Sequence, residues 1–481
     1  MSRESNLIKN TFTLGLGTVL PRLAQFIVLP ILTSCLTVEE YGVYDFVFVL
    51  VSLLLPAASL QMPSAAFRFL IDVKEDKEEC TRIVTGIFVV ILPVSLVVLT
   101  GLFFVYRSVP YITRLLICLY LLLDFLCVAN RNVLRGLCRN REYSRNAILT
   151  SLCRLVCIIV VLKYFHMGLN GALLSLAITC FISMLLLTFG CRLYKYFDLK
   201  AVSKAKIKEM LAYSWPLVPT GLSAWVIKAS DRLVVTTVLG AAMNGLYSAA
   251  SKLPHLFTIV QNTLSMAWQE NASVHVKDED AHKYYSSMFM KMYGISAGMI
   301  SLVIGLSPWL FPFFIRGKEY YAGWAQMFVL FLALFFKGMA EFLGGIYVAY
   351  KDSKSVGVTT AVAAVINLAI DLIFIRSIGL YAASVSTLAA YFCLFLFRAI
   401  DVRKYVKVDY HFPRLFGILA LVIGECVLCY INGPLTNLIN AGIGIVAFLV
   451  LDRQLIKLLW SKGMHLLKKR IARTPDGEGK E

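Results

Sequence analysis

The amino-acid sequence predicts an all-α polytopic membrane protein, and three observations carry that prediction. Hydrophobic residues make up 59% of the 481-residue chain and charged ones only 16%. With a mean hydropathy of +0.74, this composition lies far outside that of soluble globular domains. The apolar residues are gathered into long runs; a spanning helix needs roughly 20 of them, and such runs add up to about fourteen transmembrane helices. Strand-like alternation is absent, and several runs are about twice as long as the strand of a membrane barrel, so helices are favoured over a β-barrel.

The runs fall at 8–34, 42–69, 83–106, 112–134, 147–165, 169–190, 215–238, 243–269, 289–315, 322–349, 356–376, 379–399, 412–431 and 436–459. The opening "MSRESNLIKN" leads into the first run with no small-residue cleavage site, so that run reads as a retained span rather than a signal peptide. Prolines interrupt particular spans: Pro21 and Pro30 in the first, Pro56 and Pro63 in the second, Pro216 and Pro219 in the seventh, Pro254 in the eighth. Each removes a backbone donor and permits a bend.

The formal charge is +18, from 47 Lys and Arg against 29 Asp and Glu. These bases concentrate in alternate short loops and in the C-terminal tail. The loops on the opposite side carry only Arg107, Arg114, Lys163, Arg316, Lys318 and Arg376. Lys and Arg near span ends stay on the cytoplasmic side, so both termini are expected in the cytoplasm. The positive charge is therefore a topology device that also offers contacts to anionic membrane lipid, and nucleic acid is not an expected partner. The Asn271–Ser273 sequon falls in an inner loop and reads as accidental.

The 12 cysteines are scattered, mostly in apolar runs, and Cys426 and Cys429 share one apolar helix without a further Cys or His nearby. They read as small apolar side chains, not as a disulfide or metal set. The 6 histidines do not cluster in ligand spacing; only His282 lies beside an acidic run, at 278–280, which reads as a solvated loop. Short outer loops leave no soluble surface on which to build a catalytic site. No enzyme activity, metal or organic cofactor is expected.

Two parts of the chain resemble each other. "GLNGALLSLAITCF" (168–181) aligns with "GLYAASVSTLAAYF" (379–392), pairing Gly168 with Gly379 and Ser175 with Ser386, and the register continues to Arg192 with Arg403 and Tyr194 with Tyr405. Earlier, "EYGVYDF" (40–46) echoes "MNGLYSA" (243–249), with Gly42 on Gly245 and Tyr44 on Tyr247. Six crossings separate the copies, which implies two six-helix lobes of the same orientation, a transporter arrangement. The expected organisation is an N-terminal lobe with its following loop at 1–199, a C-terminal lobe at 200–411, and helices 13 and 14 with a basic tail at 412–481.

Charges inside the spans mark the candidate site, because a charge in the bilayer costs several kcal/mol unless it is paired or hydrated. Lys228, Asp231 and Arg232 lie in the seventh span, in "WVIKASDRLVV", with Lys228 on the same face as the other two. Lys252 follows in the eighth span, and Arg22 lies in the first. Facing the lobe interface, these cations form a hydrated chamber for a diphosphate, whose oxygens suit forked guanidinium donors; the other reading is pairing or snorkelling within one lobe. Asp124 and Asp371 are lone carboxylates that suit either a coupling H+ or Na+ or a hydrogen bond to a neighbouring helix. Glu341 lies four residues from Lys337, in position for a local pair as much as for coupling.

The segments "NTFTLGLGTVLPRLAQFIVLPILTSCLTVEEYGVYDF" (10–46), "LRGLCRNREYSRNAI" (134–148) and "YSWPLVPTGLSAWVIKASDRLVVTTVLGAAMNGLYSAASKL" (213–253) resemble the polysaccharide-export branch of the multidrug/oligosaccharidyl-lipid/polysaccharide exporter superfamily. That branch comprises the repeat-unit flippases of O-antigen, capsule and exopolysaccharide, and the resemblance runs in order along essentially the whole chain. It implies a bacterial inner-membrane flippase that moves an undecaprenyl-diphosphate-linked oligosaccharide repeat unit outward by alternating access, coupled to an ion gradient. Other polysaccharide assembly proteins are implied as partners. The family's basic cavity residues carry over onto Arg22, Lys228, Arg232 and Lys252, best at Asp231–Arg232 and more loosely at Lys228. A multidrug/cation antiporter of the same superfamily is the alternative, although such exporters usually have fewer spans and less cationic cavities. A peptidoglycan lipid-precursor flippase matches in span count, but its arginine pattern is not seen in the early helices.

Overall fold

A computed structural model describes residues 26–276 and 278–453. Every regular element among the described residues is helical, as the composition requires. The chain divides into two compact units. Unit 1 takes in the described residues up to Ala249 with Phe313–Ala322 and Asp371–Leu380, and unit 2 takes in Ala250–Pro312, Gly323–Ile370 and the residues from Tyr381 onward.

Unit 1 begins with the short apolar helix α1, Phe26–Cys35. Helix α2, Val38–Ala58, starts on a capping box: Thr37 accepts the backbone N–H of Glu40 at 3.2 Å while the Glu40 carboxylate accepts that of Thr37 at 3.0 Å. The run at 42–69, expected as one span, is two helices. Leu60 and Gln61 adopt left-handed backbone (φ 48° and 54°) and separate α2 from α3, Met62–Val73. Pro56 and Pro63 flank this break, each without a donor to carry the ladder across. The break is tightly packed, with Ala58, Met62, Ala65 and Ala66 fully buried.

Helices α4 (Lys77–Val105), α5 (Tyr111–Gly136), α6 (Asn140–Ile159) and α7 (Gly168–Leu185) follow. Asp76 caps α4 by accepting the N–H groups of Glu78 and Glu79. Helices α6 and α7 each end in a π-turn, at Val160–Tyr164 and Leu186–Gly190. The loop after α7 contains a further helix, α8 (Lys204–Ser214), too short and polar to register as a span. Its Met210 is buried in the core with Met62, Ile83 and Ile87, and its Lys206 pairs with Glu209 at 2.9 Å. Helix α9, Leu217–Val238, starts at Pro216, and α10, Ala241–Val274, runs on through Pro254 without a break.

Unit 2 is built on α11 (Ala281–Phe314), α12 (Trp324–Ala349), α13 (Ser353–Ile378), α14 (Tyr381–Asp401), α15 (Phe412–Ile431) and α16 (Pro434–Leu451). Helix α12 is its core: Phe331, Phe335, Ala340 and Leu343 are fully buried. Trp268 of α10 stacks on Phe342 with ring centroids 4.1 Å apart and donates its indole N–H to the Phe342 carbonyl at 2.8 Å. Gly345 makes room, since a Cβ there would meet the indole at 2.7 Å.

Among the described residues, 11 helices are long and apolar enough to cross a membrane. The protein is thus a multi-pass membrane protein of the all-α class. The remaining expected spans at 215–238 and 243–269 coincide with α9 and α10, and the part of 8–34 that lies within the described residues falls on α1. Helix α1 is described only from Phe26, and α9 and α10 carry the charged and amide side chains on which the candidate site is built.

Candidate functional site

In unit 1, α9 presents Asp231 and Arg232 to α2 and to the first turns of α10. The Arg232 guanidinium lies 2.9 Å from the carboxylate of Asp45 on α2. Asp231 accepts the Arg232 backbone N–H at 2.8 Å and the Tyr247 hydroxyl at 2.6 Å. Asp45 is buried, at 3% exposure, and the Arg232 side chain keeps 18%, so the ion pair is largely shielded from water and its Coulombic attraction is strengthened. Asn244 donates to the Gly42 carbonyl at 2.9 Å and ties α10 to α2 one turn before Asp45.

The entry to α2 is anchored from two sides. Tyr320 donates to the carbonyls of Leu36 and Thr37 and sets its ring edge-on to Tyr41, 5.6 Å between centroids. From α7, the backbone N–H of Leu169 donates to Glu40 at 3.2 Å. Gly168 must be glycine for this contact: its φ is +54°, and a Cβ would sit 2.9 Å from the Glu40 carboxylate.

A second group of charges joins α5 and α6. Asp124 accepts a long contact from the Cys180 thiol at 3.9 Å, and Arg131 and Arg154 are the cations that act on it. Arg131 reaches Ser183 at 3.4 Å, and Ser183 donates to Asn146 at 3.1 Å. The Nε–H groups of Arg131 and Arg154 are buried without an acceptor. Both charges act on Asp124 through space, and among the described residues neither forms an ion pair with it.

In unit 2, Glu341 pairs with Lys337 at 3.6 Å, the local arrangement their spacing allows, and receives a weak contact from Ser265 at 3.5 Å. Lys252 is half-buried on α10. Asp371, on the part of α13 that belongs to unit 1, is fully buried. Arg22 lies outside the described residues, and for Lys228 only its place in α9 is described. Of the expected cavity cations, the structure therefore gives Arg232 a defined environment, and that environment is an ion pair with Asp45.

The sequence does not single out Asp45, Arg131 or Arg398. Asp45 is the next-to-last residue of the repeated segment "EYGVYDF", and a carboxylate inside the run 42–69 is the signal that marks it. Arg398 falls at the end of a span, where a base ordinarily belongs to the loop. It is instead buried at 3% exposure and bonds to the Ala340 carbonyl at 2.8 Å and to the Thr359 and Thr360 hydroxyls.

Outside the spanning helices, Asp352 follows α12. Hydrogen bonds from Ser355 first, and from the Tyr405 hydroxyl next, hold its carboxyl down at about 2. The same contact with Asp352 raises the Tyr405 phenol. This links α12, α13 and the residues after α14, and it gives a local role to Tyr405, a residue of the internal repeat.

Comparison with known proteins follows the same lines. The profile of the family described as "Polysaccharide biosynthesis protein" matches residues 7–269. A capsular polysaccharide biosynthesis protein, CapF of Staphylococcus aureus, is 22% identical over 354 residues, covering 71% of this chain and 86% of the relative. Among solved structures, the lipid II flippase MurJ in an inward closed conformation superposes with a TM-score of 0.67 at 15% identity, over 92% of this chain and 99% of that one. A multidrug resistance MATE family transporter of the MOP superfamily, inward-facing, gives a TM-score of 0.62 at 14% identity, over 82% and 98%. At these identities the two structures establish a shared fold.

Proposed function

The chain belongs to the family of polysaccharide biosynthesis proteins, and from that premise we propose that it is a transporter, not an enzyme, that flips a lipid-linked oligosaccharide across a bacterial inner membrane. The cargo is an undecaprenyl-diphosphate-linked repeat unit, received on the cytoplasmic side, where both termini lie, and passed to other polysaccharide assembly proteins on the far side.

The observation that carries this reading is the pair Arg131 and Arg154, two guanidinium groups in spanning helices whose buried Nε–H donors are unspent. Guanidinium forks match phosphate oxygens, and desolvated donors of this kind favour an anionic cargo over a cationic drug. Arg22, Lys228, Arg232 and Lys252 are the further cations assigned to the cargo, with Arg232 exchanging Asp45 for the diphosphate as the lobes 1–199 and 200–411 alternate. The polyprenyl tail stays in lipid throughout, so only the headgroup needs hydration. An inward H+ or Na+ gradient drives the cycle, with Asp124, Asp231, Glu341 and Asp371 as the carboxylates available to bind the ion.

The test is translocation of a lipid-linked oligosaccharide in proteoliposomes, read by leaflet accessibility, with and without an imposed H+ or Na+ gradient. Gradient-stimulated movement supports the reading and identifies the ion. The fold shared with the lipid II flippase favours a second reading, a peptidoglycan-precursor flippase; movement of that precursor alone would select it. Export of a small cationic dye without movement of either lipid would overturn both.

A further inference from the structure

Helices α15 and α16 lie outside the internal repeat, yet α15 carries a carboxylate in the interior of unit 2. Glu425 is 1% exposed, and both of its carboxylate oxygens are buried without a hydrogen-bond partner. The surroundings are unusually close. Helix α16 crosses α11 so tightly that a Cβ on Gly444 would fall 2.5 Å from the Ser301 carbonyl and 3.2 Å from Glu425 Oε1, and one on Gly305 would fall 2.7 Å from the Asn440 carbonyl. No space for a hydrated ion remains at such a crossing.

One hydroxyl, that of Ser301, is the uncommitted hydrogen-bond donor beside this carboxylate among the described residues. Asn440, fully buried, directs its amide N–H groups to the Glu425 backbone carbonyl at 3.1 Å and to the Cys429 sulfur at 2.8 Å, and its own Oδ1 has no donor. From α11 the fully buried Ser301 faces the carboxyl. The other titratable neighbours are the thiols of Cys426 and Cys429 on the same helix; Cys429 turns to the Ile304 carbonyl of α11, and Cys426 to the Phe328 carbonyl of α12. Just after α16, Asp452 faces Gly298, and its carboxylate oxygens are likewise buried without a partner. Among the described residues, no cation faces Glu425 from α11, α12, α15 or α16.

An ionised carboxylate needs several donors or a countercharge, and burial with a single hydroxyl beside it and no cation leaves most of its desolvation cost uncompensated. A hard metal ion would need about six oxygen ligands, whereas a proton needs one acceptor, and the Ser301 hydroxyl provides it. We propose that Glu425 is a proton-binding site of unit 2, held as a neutral carboxylic acid between α11 and α16 with Ser301 as its hydrogen-bond partner. The site is independent of what the chain carries.

The experiment is the infrared difference spectrum of the purified full-length protein in lipid, wild type minus Glu425→Gln. Glutamine keeps the shape of the neutral acid, so the variant should fold. The expected result is a carboxylic-acid C=O band at neutral pH, where a glutamate titrating at about 4.3 would be depleted more than about a hundredfold in its acid form. The band should be indifferent to sodium. Ser301→Ala, which keeps the carboxyl, should shift its frequency, and this arm carries the test if the glutamine variant does not fold. Absence of the band at neutral pH overturns the proposal. So does its loss on adding sodium at constant pH, which would mark a cation site instead.

Discussion

Gly42 and Gly245 seat each other's helices: a Cβ on Gly42 would fall 1.8 Å from the Ala241 carbonyl oxygen, and one on Gly245 would fall 2.1 Å from the Val38 carbonyl oxygen. The contact is reciprocal, because Val38 precedes Gly42 as Ala241 precedes Gly245 in the two copies of the internal repeat. Helices α2 and α10 therefore cross backbone to backbone, and only hydrogen fits at either glycine. Gly42→Ala and Gly245→Ala should each destabilise the protein by about 1–3 kcal/mol through overpacking, read as a lower melting temperature in detergent. Gly101→Ala and Gly424→Ala, with nothing within 4 Å of the added carbon, should be neutral. Equal melting temperatures for all four variants would remove the crossing as a constraint.

Much of this architecture is legible in the sequence because hydropathy is a property of whole segments. The runs from 83–106 to 169–190 and from 289–315 onward coincide with helices, and Gly168 and Gly379, paired as repeat positions, both adopt left-handed backbone (φ +54° and +58°). What stays hidden are features that leave the apolar average unchanged. The turn at Leu60 and Gln61 interrupts the run 42–69 without interrupting its apolarity, and α8 hides in a loop because its buried side, at Met210, is too short to stand out. The Arg232–Asp45 pair is hidden for another reason: its members lie far apart in sequence, and adjacency favours Asp231 as the partner of a nearby cation.

The ion pair between Arg232 and Asp45 is buried, so removing one partner leaves the other uncompensated. Asp45→Ala should cost about 3–5 kcal/mol, the usual penalty for breaking a buried pair from one side. Asp45→Ala with Arg232→Ala should cost less than the sum of the two single changes, and a double-mutant cycle reads that difference. In transport assays at equal expression, Arg232→Lys should be impaired as well as Arg232→Ala, since an ammonium lacks the fork. Full activity in both single variants would take Arg232 out of the mechanism, and strict additivity of the stability changes would take away the pair.

Asp352 offers a test at low pH. Its folded value, about 2, lies below the unfolded carboxyl at about 3.9, so its contribution to stability is present above the unfolded value and is lost as pH falls through the folded one. Asp352→Asn should flatten the fall in melting temperature between about pH 4 and about pH 2. The change should be small, because the group is solvent-screened. Tyr405→Phe, which removes one donor to the carboxylate, should give an intermediate slope. An Asn variant that melts along the wild-type curve would show that the linkage carries no weight.

Arg398 makes the sharpest prediction about packing. Its donors end on uncharged oxygens: the Ala340 carbonyl of α12, the Val356 carbonyl of α13, and the Thr359 and Thr360 hydroxyls. Both hydroxyls already donate to the Val356 carbonyl, so neither would be stranded by losing the guanidinium. A buried charge without a carboxylate in contact is replaceable by an apolar side chain of similar length, and Arg398→Met should stay within about 1 kcal/mol of wild type. Arg398→Lys should be worse, by about 1–3 kcal/mol, because a compact ammonium keeps the charge but cannot reach α12 and α13 together. The position of Gly344 supplies the control: a Cβ there would sit 2.7 Å from Arg398 Nη1, so Gly344→Ala should be costly in the wild type and close to neutral in the Arg398→Met background. Melting temperatures of the four proteins in that cycle decide the matter, and a Gly344→Ala cost that survives the loss of the guanidinium would place the constraint on the backbone of α12 instead.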